Sequence, residues 1–325
     1  MPRTSSYCST CAYSIIFDTY KGCAHGCTYC FSNFRKNYDR HVKNFESAAS
    51  LKSFILGKRT GREAWAGWNI PISWGRNSDP FIPRDRIFKR SLEALKVFAE
   101  TKYPFIVTTK SVLPTEEPYF SLLKQCNCVF QYSIACEEMD RMEVCAPGFE
   151  RRLAAMAKIA PHVKCMTARV APLFIEHAES IKKNLERFRD AGASVVMLSL
   201  AYNKGRSGAF VEELRKGIYT YRKRDALPVL RELKAVAESL GMKAVITNFH
   251  EENSHPNCCG IDHIPGFEGN MCTLAARDHF GGKFFSARDC QRVKGTATAF
   301  RNEFKRIDES AMKEMSFEEF MDCIR

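Results

Sequence analysis

Three cysteines within eight residues, Cys23, Cys27 and Cys30, form a CxxxCxxC run inside the segment Tyr20-Lys-Gly-Cys-Ala-His-Gly-Cys-Thr-Tyr-Cys-Phe-Ser32. Thiols this close in sequence must converge, and convergent thiolates suit a metal centre. A tetrahedral zinc site needs a fourth ligand, which His25 can supply from within the loop. A [4Fe-4S] cluster fits three thiolates and leaves one iron free for an exchangeable ligand. Unliganded core cysteines are the third reading. Gly22 and Gly26 allow a tight loop whose backbone N–H groups point at the sulfurs, which tunes a cluster's potential.

A second group of thiols lies toward the C-terminus, in His255-Pro-Asn-Cys-Cys-Gly260 and then at Cys272 and Cys290, with His250, His263 and His279 interleaved. From Glu251 to Cys290 the chain is rich in Gly, Pro, His, Asp and Cys and shows neither the helical nor the strand period. Cys258, Cys259, Cys272 and Cys290 are candidate ligands for a second iron-sulfur cluster or a zinc ion, either of which would hold such a segment together. Adjacent Cys258 and Cys259 rarely both serve one metal, so the set has three ligands and a fourth to be found. Cys8 and Cys11, spaced CxxC, are one source for it. Free thiols, or thiols that touch substrate, are the alternatives.

Among 325 residues there are 15 cysteines, an odd count too high for an ordinary core and unsuited to a disulfide scaffold. A reducing compartment with thiolate-bound metal accounts for them, and a cytoplasmic location is expected. Lys plus Arg exceed Asp plus Glu by 49 − 37 = 12, a charge that favours a polyanionic partner such as nucleic acid. Hydrophobic residues at 45% and charged residues at 26% exclude a disordered chain. No run approaches 18 apolar residues, and Met1-Pro-Arg-Thr-Ser-Ser-Tyr7 lacks the apolar centre of a signal peptide, so no membrane partner is expected.

The elements that must position these groups alternate β-rich runs with amphipathic stretches, the pattern of an α/β fold. Strands are expected at Tyr13 to Phe17, Asn69 to Trp74, Pro104 to Thr109, Cys128 to Ile134, Val163 to Val170, Ser194 to Leu200 and Lys243 to Asn248. Helices are expected over Arg86 to Thr101, with Ile87, Leu92, Leu95 and Phe98 on the apolar face, over Glu176 to Ala191, and from near Leu227. Gly192 and Gly241 close the last two. Six or seven such units build a parallel sheet, doubly wound or curled toward a barrel, with the site at the strands' C-terminal ends. Residues 1–250 form this unit, and residues 251–325 form a Cys/His-rich extension whose terminal helices carry Phe300, Phe304, Met312, Phe317 and Phe320.

The cysteine loop, with Tyr29 as its aromatic before the last cysteine, resembles that of the radical S-adenosylmethionine (radical SAM) superfamily. Further segments resemble the spore photoproduct lyase-like branch: Ser73-Trp-Gly-Arg-Asn-Ser-Asp-Pro-Phe-Ile-Pro-Arg-Asp85, Val107-Thr-Thr-Lys110, Tyr132-Ser-Ile-Ala135, and Met142-Glu-Val-Cys-Ala-Pro-Gly148 ahead of Arg152-Leu153. The resemblance spans roughly residues 13 to 201. It implies a partial (β/α)6 TIM-type barrel with the irregular extension appended. It also implies a [4Fe-4S] cluster on Cys23, Cys27 and Cys30, S-adenosylmethionine on the free iron, and an electron donor such as flavodoxin or ferredoxin. Ser78, Lys110 and Ser133 match residues that hold the polar end of S-adenosylmethionine, and Tyr29 is placed to cover its adenine. Asp79 before Pro80 reads first as a turn former.

The implied activity is a 5′-deoxyadenosyl radical that abstracts hydrogen from a nucleobase in DNA or a modified nucleotide. One departure stands out. The branch's lesion-repair enzymes return hydrogen from a cysteine between the cluster loop and the segment matched by Ser73 to Asp85, and no cysteine lies between Phe31 and Gln125. A different radical reaction is therefore expected, with Cys136 and Cys145 read first as small buried thiols. The stretch Arg215 to Arg224, with Lys216, Tyr219, Tyr221, Arg222 and Lys223, is either a solvated helix face or a surface that tracks phosphates and stacks bases. The rival functions are a radical SAM enzyme acting on a peptide or small metabolite, and a non-catalytic, metal-stabilised nucleic-acid-binding protein.

Overall fold

The computed structural model describes residues 2–4, 13, 15–30, 42–57, 71–215, 217–249, 252, 259–267, 311, 314–316, 318 and 319. The expectations for Cys8, Cys11, Phe31, Lys216, His250, His255, Cys258, Cys272, His279, Cys290 and the apolar residues of the terminal helices lie outside the described residues.

The strands in chain order are β1 (Arg3–Thr4), β2 (Ile15–Phe17), β3 (Tyr20–Lys21), β4 (Lys43–Asn44), β5 (Ile72–Trp74), β6 (Phe105–Thr109), β7 (Cys128–Ser133), β8 (Cys165–Leu173), β9 (Val195–Leu200), β10 (Tyr202–Lys204), β11 (Glu212–Arg215), β12 (Ile218–Thr220) and β13 (Lys243–Ile246). The helices are α1 (Ala48–Ile55), α2 (Asp85–Phe88), α3 (Arg90–Thr101), α4 (Tyr119–Leu123), α5 (Phe149–Ile159), α6 (Ala178–Asp190) and α7 (Lys223–Ser239). All seven expected strands form, within a few residues of their expected ends.

The main sheet runs β1-β2-β5-β6-β7-β8-β9-β13, with β1 antiparallel at one edge and the other seven strands parallel. Spatial order follows chain order. Every crossover therefore steps the same way and leaves its helix on one face, whereas a doubly wound sheet would reverse direction. Six β/α units and a closing strand make an open, partial barrel, and no pairing joins β13 to the opposite edge among the described residues.

Strand alternation divides each strand between two environments. Phe105, Val107, Cys128, Phe130, Met166, Ala168, Val196 and Leu198 face the helices in one large core, where the Trp74 ring packs against Phe17, Phe81, Phe98 and Phe105. Ile106, Val129, Cys165 and Val195 point the other way and are covered by Tyr13 and by Ile261, Ile264 and Phe267. Residues 259–267 thus plug the concave face at the amino-terminal end of the strands, with the Tyr13 hydroxyl donating to the Phe267 carbonyl. Higher on that face, toward the carboxyl ends, stand Thr108, Gln131, Ser133, Arg169 and Ser199.

Three local expectations are corrected. The helix read over Arg86 to Thr101 breaks at Lys89, whose φ of 53° is left-handed, and α2 before the break leaves Ile87 79% exposed instead of packed. The helix expected from near Leu227 starts at Lys223, with Asp225 favouring its first turn and Pro228 inside it. Residues 202–204, 212–215 and 218–220 form a separate three-stranded antiparallel sheet, β10-β12-β11, that alternation did not reveal. Gly192 and Gly241 end their helices with φ of 87° and 83°, as expected. No helix among the described residues is long and apolar enough to cross a membrane.

Candidate active site

β3 delivers the chain to the cysteine loop, and Gly22 and Gly26 turn it with φ of 87° and 65°. The loop is docked by backbone bonds to the segment after β7: Thr28 N–H donates to Met142 O at 2.9 Å and Cys145 N–H to His25 O at 3.0 Å. Cys23, Cys27 and Cys30 emerge on the wall of a cleft at the carboxyl ends of the strands. Its space free of protein atoms, open solvent at the mouth included, is about 970 Å³. Tyr29, Ser78, Asp79, Lys110, Ser133 and Arg169 share the same wall. The structure therefore brings together every residue that the sequence assigned to cluster and cofactor.

None of the three thiols is in a disulfide. Burial, helped by the nearby Asp79 carboxylate, pushes the Cys23 thiol up to about 12, and burial raises Cys27 as well, against the pull of Lys110. Thiolates at these positions need a cationic centre to stabilise them, which is what bound iron or zinc provides. No three His, Cys, Asp or Glu side chains stand together as ligands of one ion among the described residues. His25 does not complete a zinc site: its Nε2 lies 3.0 Å from Asp79 Oδ2, off the line of a hydrogen bond, and its Nδ1 faces Cys145 O at 3.5 Å. A multi-iron cluster takes its thiolates on different irons and asks for no such single-ion cage.

Asp79 has the structural role its turn position suggested. It accepts from Thr109 Oγ1 at 2.7 Å, from Lys110 N–H at 2.7 Å and from Phe81 N–H at 2.9 Å. Burial opposes its ionisation, but His25 and these bonds outweigh burial and hold the carboxyl below the usual carboxylate range. Ser78, from the same loop, donates to Tyr20 O at 2.6 Å and so ties the loop to β3. That hydroxyl keeps only acceptor capacity toward a ligand.

Lys110 leaves the end of β6 and donates to Ser133 Oγ, at the end of β7, at 2.9 Å. Its ammonium is 3.8 Å from Glu143 Oε1 and 5.7 Å from the centre of the Tyr29 ring, and the Tyr29 hydroxyl donates to the same carboxylate. Arg152, fully buried on α5, anchors the group: Nη1 reaches Glu143 Oε2 at 2.6 Å and donates to Ser133 O at 2.8 Å. One buried ion pair thus fixes the aromatic of the cysteine loop and the base of the cleft's lysine.

Several residues here were not assigned from the sequence. Glu143 lies inside a quoted motif without a role, and Arg76 and Asn77 belong to the loop before Ser78. Arg169 was legible, since Cys165, Thr167 and Arg169 alternate along an expected strand and point to its concave face. Two side chains depart from expectation. Cys145 is exposed, not a small buried thiol, while Cys136 is buried as expected. Tyr221 is buried with its hydroxyl on Glu176 at 2.6 Å and is no base-stacking platform. Of the proposed second metal set only Cys259 is described, half-buried against the plug at the far end of the barrel.

No protein-family model matches the chain, and no curated protein does. Solved structures do. A spore photoproduct lyase variant superposes with a TM-score of 0.57 at 16% identity, over 73% of this chain and 77% of that one. Another, with bound AdoMet and dinucleoside spore photoproduct, gives 0.54 at 16% identity over 72% and 76%. SuiB from Streptococcus suis bound to S-adenosylmethionine gives 0.51 at 10% identity, over 73% of this chain and 51% of that one. The chain has the fold of these proteins, a radical SAM-type partial barrel with its cysteine loop at the carboxyl edge of the sheet.

Proposed function

We propose that this protein is a radical SAM enzyme, with a [4Fe-4S] cluster on Cys23, Cys27 and Cys30 and S-adenosylmethionine beside it in the cleft. The observation that carries the reading is the convergence of the three thiols with Lys110, Ser133 and Tyr29 on one cleft wall. The cluster and its cofactor supply one-electron cleavage of a sulfonium C–S bond and a 5′-deoxyadenosyl radical.

The chain's own residues bind and orient. Lys110 exchanges its Ser133 partner for the cofactor's carboxylate, a charge-assisted bond, and Ser133 then offers its hydroxyl to the same polar end. Glu143, held by Arg152, keeps the lysine's stem and the Tyr29 ring in register. Tyr29, half-buried with its edge against Phe174 at 6.1 Å, closes one side of the space against water.

For the substrate we infer a nucleobase in DNA or a modified nucleotide. The small sheet begins at Tyr202, which lines the cleft, and Lys204, Arg206, Arg222, Lys223 and Arg224 are exposed on it or just after it. With an excess of twelve positive charges, this surface favours a phosphodiester chain at the cleft mouth. Lesion repair by thiol hydrogen return is not part of the proposal: Cys136 and Cys145 do not line the cleft, whose only thiols among the described residues are the loop cysteines. The test is binding of the reconstituted protein to single-stranded DNA across a salt series. Affinity that falls steeply with salt is expected, and absent or salt-insensitive affinity would turn the reading to a peptide or small metabolite.

A further inference from the structure

Asp79 does more in the fold than close its turn. Its oxygens collect donors from its own loop and from the end of β6: Oδ1 accepts from Phe81 N–H at 2.9 Å and Thr109 Oγ1 at 2.7 Å, and Oδ2 from Lys110 N–H at 2.7 Å. A carboxylate takes all of these at once, whereas a protonated acid would turn its own O–H toward one of the donors. The group is therefore held as an anion, although its side chain is only 7% exposed. Burying a charge is costly, and ending a turn does not require one.

A use for the charge lies in the cysteine loop. His25, two residues after Cys23, brings its Nε2 to 3.0 Å from Asp79 Oδ2. The backbone N–H groups of His25 and of Asp79 itself both donate to the Cys23 sulfur, which also feels the Asp79 carboxylate. The anion is thus built into the immediate surroundings of one loop cysteine. The Lys110 ammonium acts on Cys27 instead.

The potential of an iron-sulfur cluster responds to the net charge around it and to hydrogen bonds at its sulfurs. N–H donors at Cys23 make a cluster easier to reduce, and an anion beside the same sulfur makes it harder. A sulfonium accepts an electron only from a strong reductant, so a site that cleaves one gains from the anion. We propose that Asp79, acting through Cys23, keeps the potential of the cluster on Cys23, Cys27 and Cys30 low by fixing a negative charge beside that sulfur. The proposal rests on the radical SAM reading of the cleft. One electron enters from an external reductant and leaves to the sulfonium C–S bond, and Asp79 exchanges neither electron nor proton.

The experiment is a redox titration, followed by electron paramagnetic resonance, of anaerobically reconstituted protein without S-adenosylmethionine, for the wild type, Asp79→Asn and Thr109→Val. Asp79→Asn removes the charge in nearly the same volume, and its cluster should become at least tenfold easier to reduce, a rise of about 59 mV. Thr109→Val removes the hydroxyl bonded to the carboxylate and keeps the charge, so its potential should equal the wild-type value or fall below it. This second variant separates charge from architecture and keeps the test decisive if Asp79→Asn does not fold. A raised potential in Thr109→Val would overturn the proposal, as would an unchanged or lowered one in Asp79→Asn. Failure of the underlying reading shows separately. A wild type that holds no [4Fe-4S] cluster overturns both, whereas one that forms 5′-deoxyadenosine, beside an Asp79→Asn cluster of unchanged potential, overturns the proposal alone.

Discussion

In the proposed reading, cofactor binding turns on Lys110, whose ammonium lies between Ser133 and the Glu143 carboxylate that Arg152 holds. Glu143 retains Arg152 when the lysine is removed, so Lys110→Ala leaves no buried carboxylate unpaired and the fold should tolerate it. Loss of a charge-assisted bond of about 1.5–3 kcal/mol predicts S-adenosylmethionine affinity lower by about 10- to 150-fold. Iron content should stay at the wild-type level, and unchanged affinity would remove Lys110 from the site.

Thiol chemistry provides a second check at this scale. Burial, with Glu138 nearby, pushes Cys136 up to about 12, so at pH 8 it is almost wholly the unreactive thiol. Cys145 is exposed. Alkylation followed by peptide mapping should label Cys145 quickly at pH 8, and Cys136 only as the pH approaches 12. Rapid labelling of Cys136 at pH 8 would contradict its placement. The residues of the cysteine loop were legible because their chemistry is written in their spacing. Glu143 was not, since its meaning lies in Tyr29, Lys110 and Arg152, which come from three different elements.

At the scale of elements, the loop between β5 and α2 sets the geometry of the cleft. Gly75 opens it with φ of 85°, and a Cβ there would stand 2.6 Å from Pro80 Cδ and 2.7 Å from the Thr108 carbonyl. The backbone at Thr108 belongs to a central strand and cannot retreat. Gly75→Ala should therefore cost about 3 kcal/mol, from the left-handed conformation and the clash together, read as a lowered denaturant midpoint. A wild-type midpoint would show that the loop takes another path.

The central strands were legible because each is a short apolar, β-branched run bounded by helix signals. The break at Lys89 was not: the apolar spacing from Ile87 to Phe98 continues across it, and only the backbone shows the left-handed residue. The strands β10 to β12 mix Glu, Lys, Arg and Tyr without alternation, so no period marked them.

In the molecule as a whole, an open sheet with its crossover helices on one face must close its other face with something else. Among the described residues the amino-terminal half is filled by Ile261, Ile264 and Phe267, and the carboxyl half forms the cleft. Seven parallel strands in chain order explain why residues far apart in sequence, from Cys23 to Tyr202, end at one edge. The α/β class and the position of the cleft at the strands' carboxyl ends followed from the alternation of elements. The plug was hidden, because a nine-residue segment with three apolar side chains carries no period of its own.

The central claim is that the cleft generates a radical from S-adenosylmethionine, and one measurement tests it most directly. Protein reconstituted anaerobically with iron and sulfide is reduced with dithionite, given S-adenosylmethionine, and assayed for 5′-deoxyadenosine, beside Cys23→Ala, Cys27→Ala and Cys30→Ala. The account predicts 5′-deoxyadenosine from the wild type and none above background from each variant. Wild-type protein that holds its cluster yet forms none, or a Cys27→Ala variant with full activity, would contradict it.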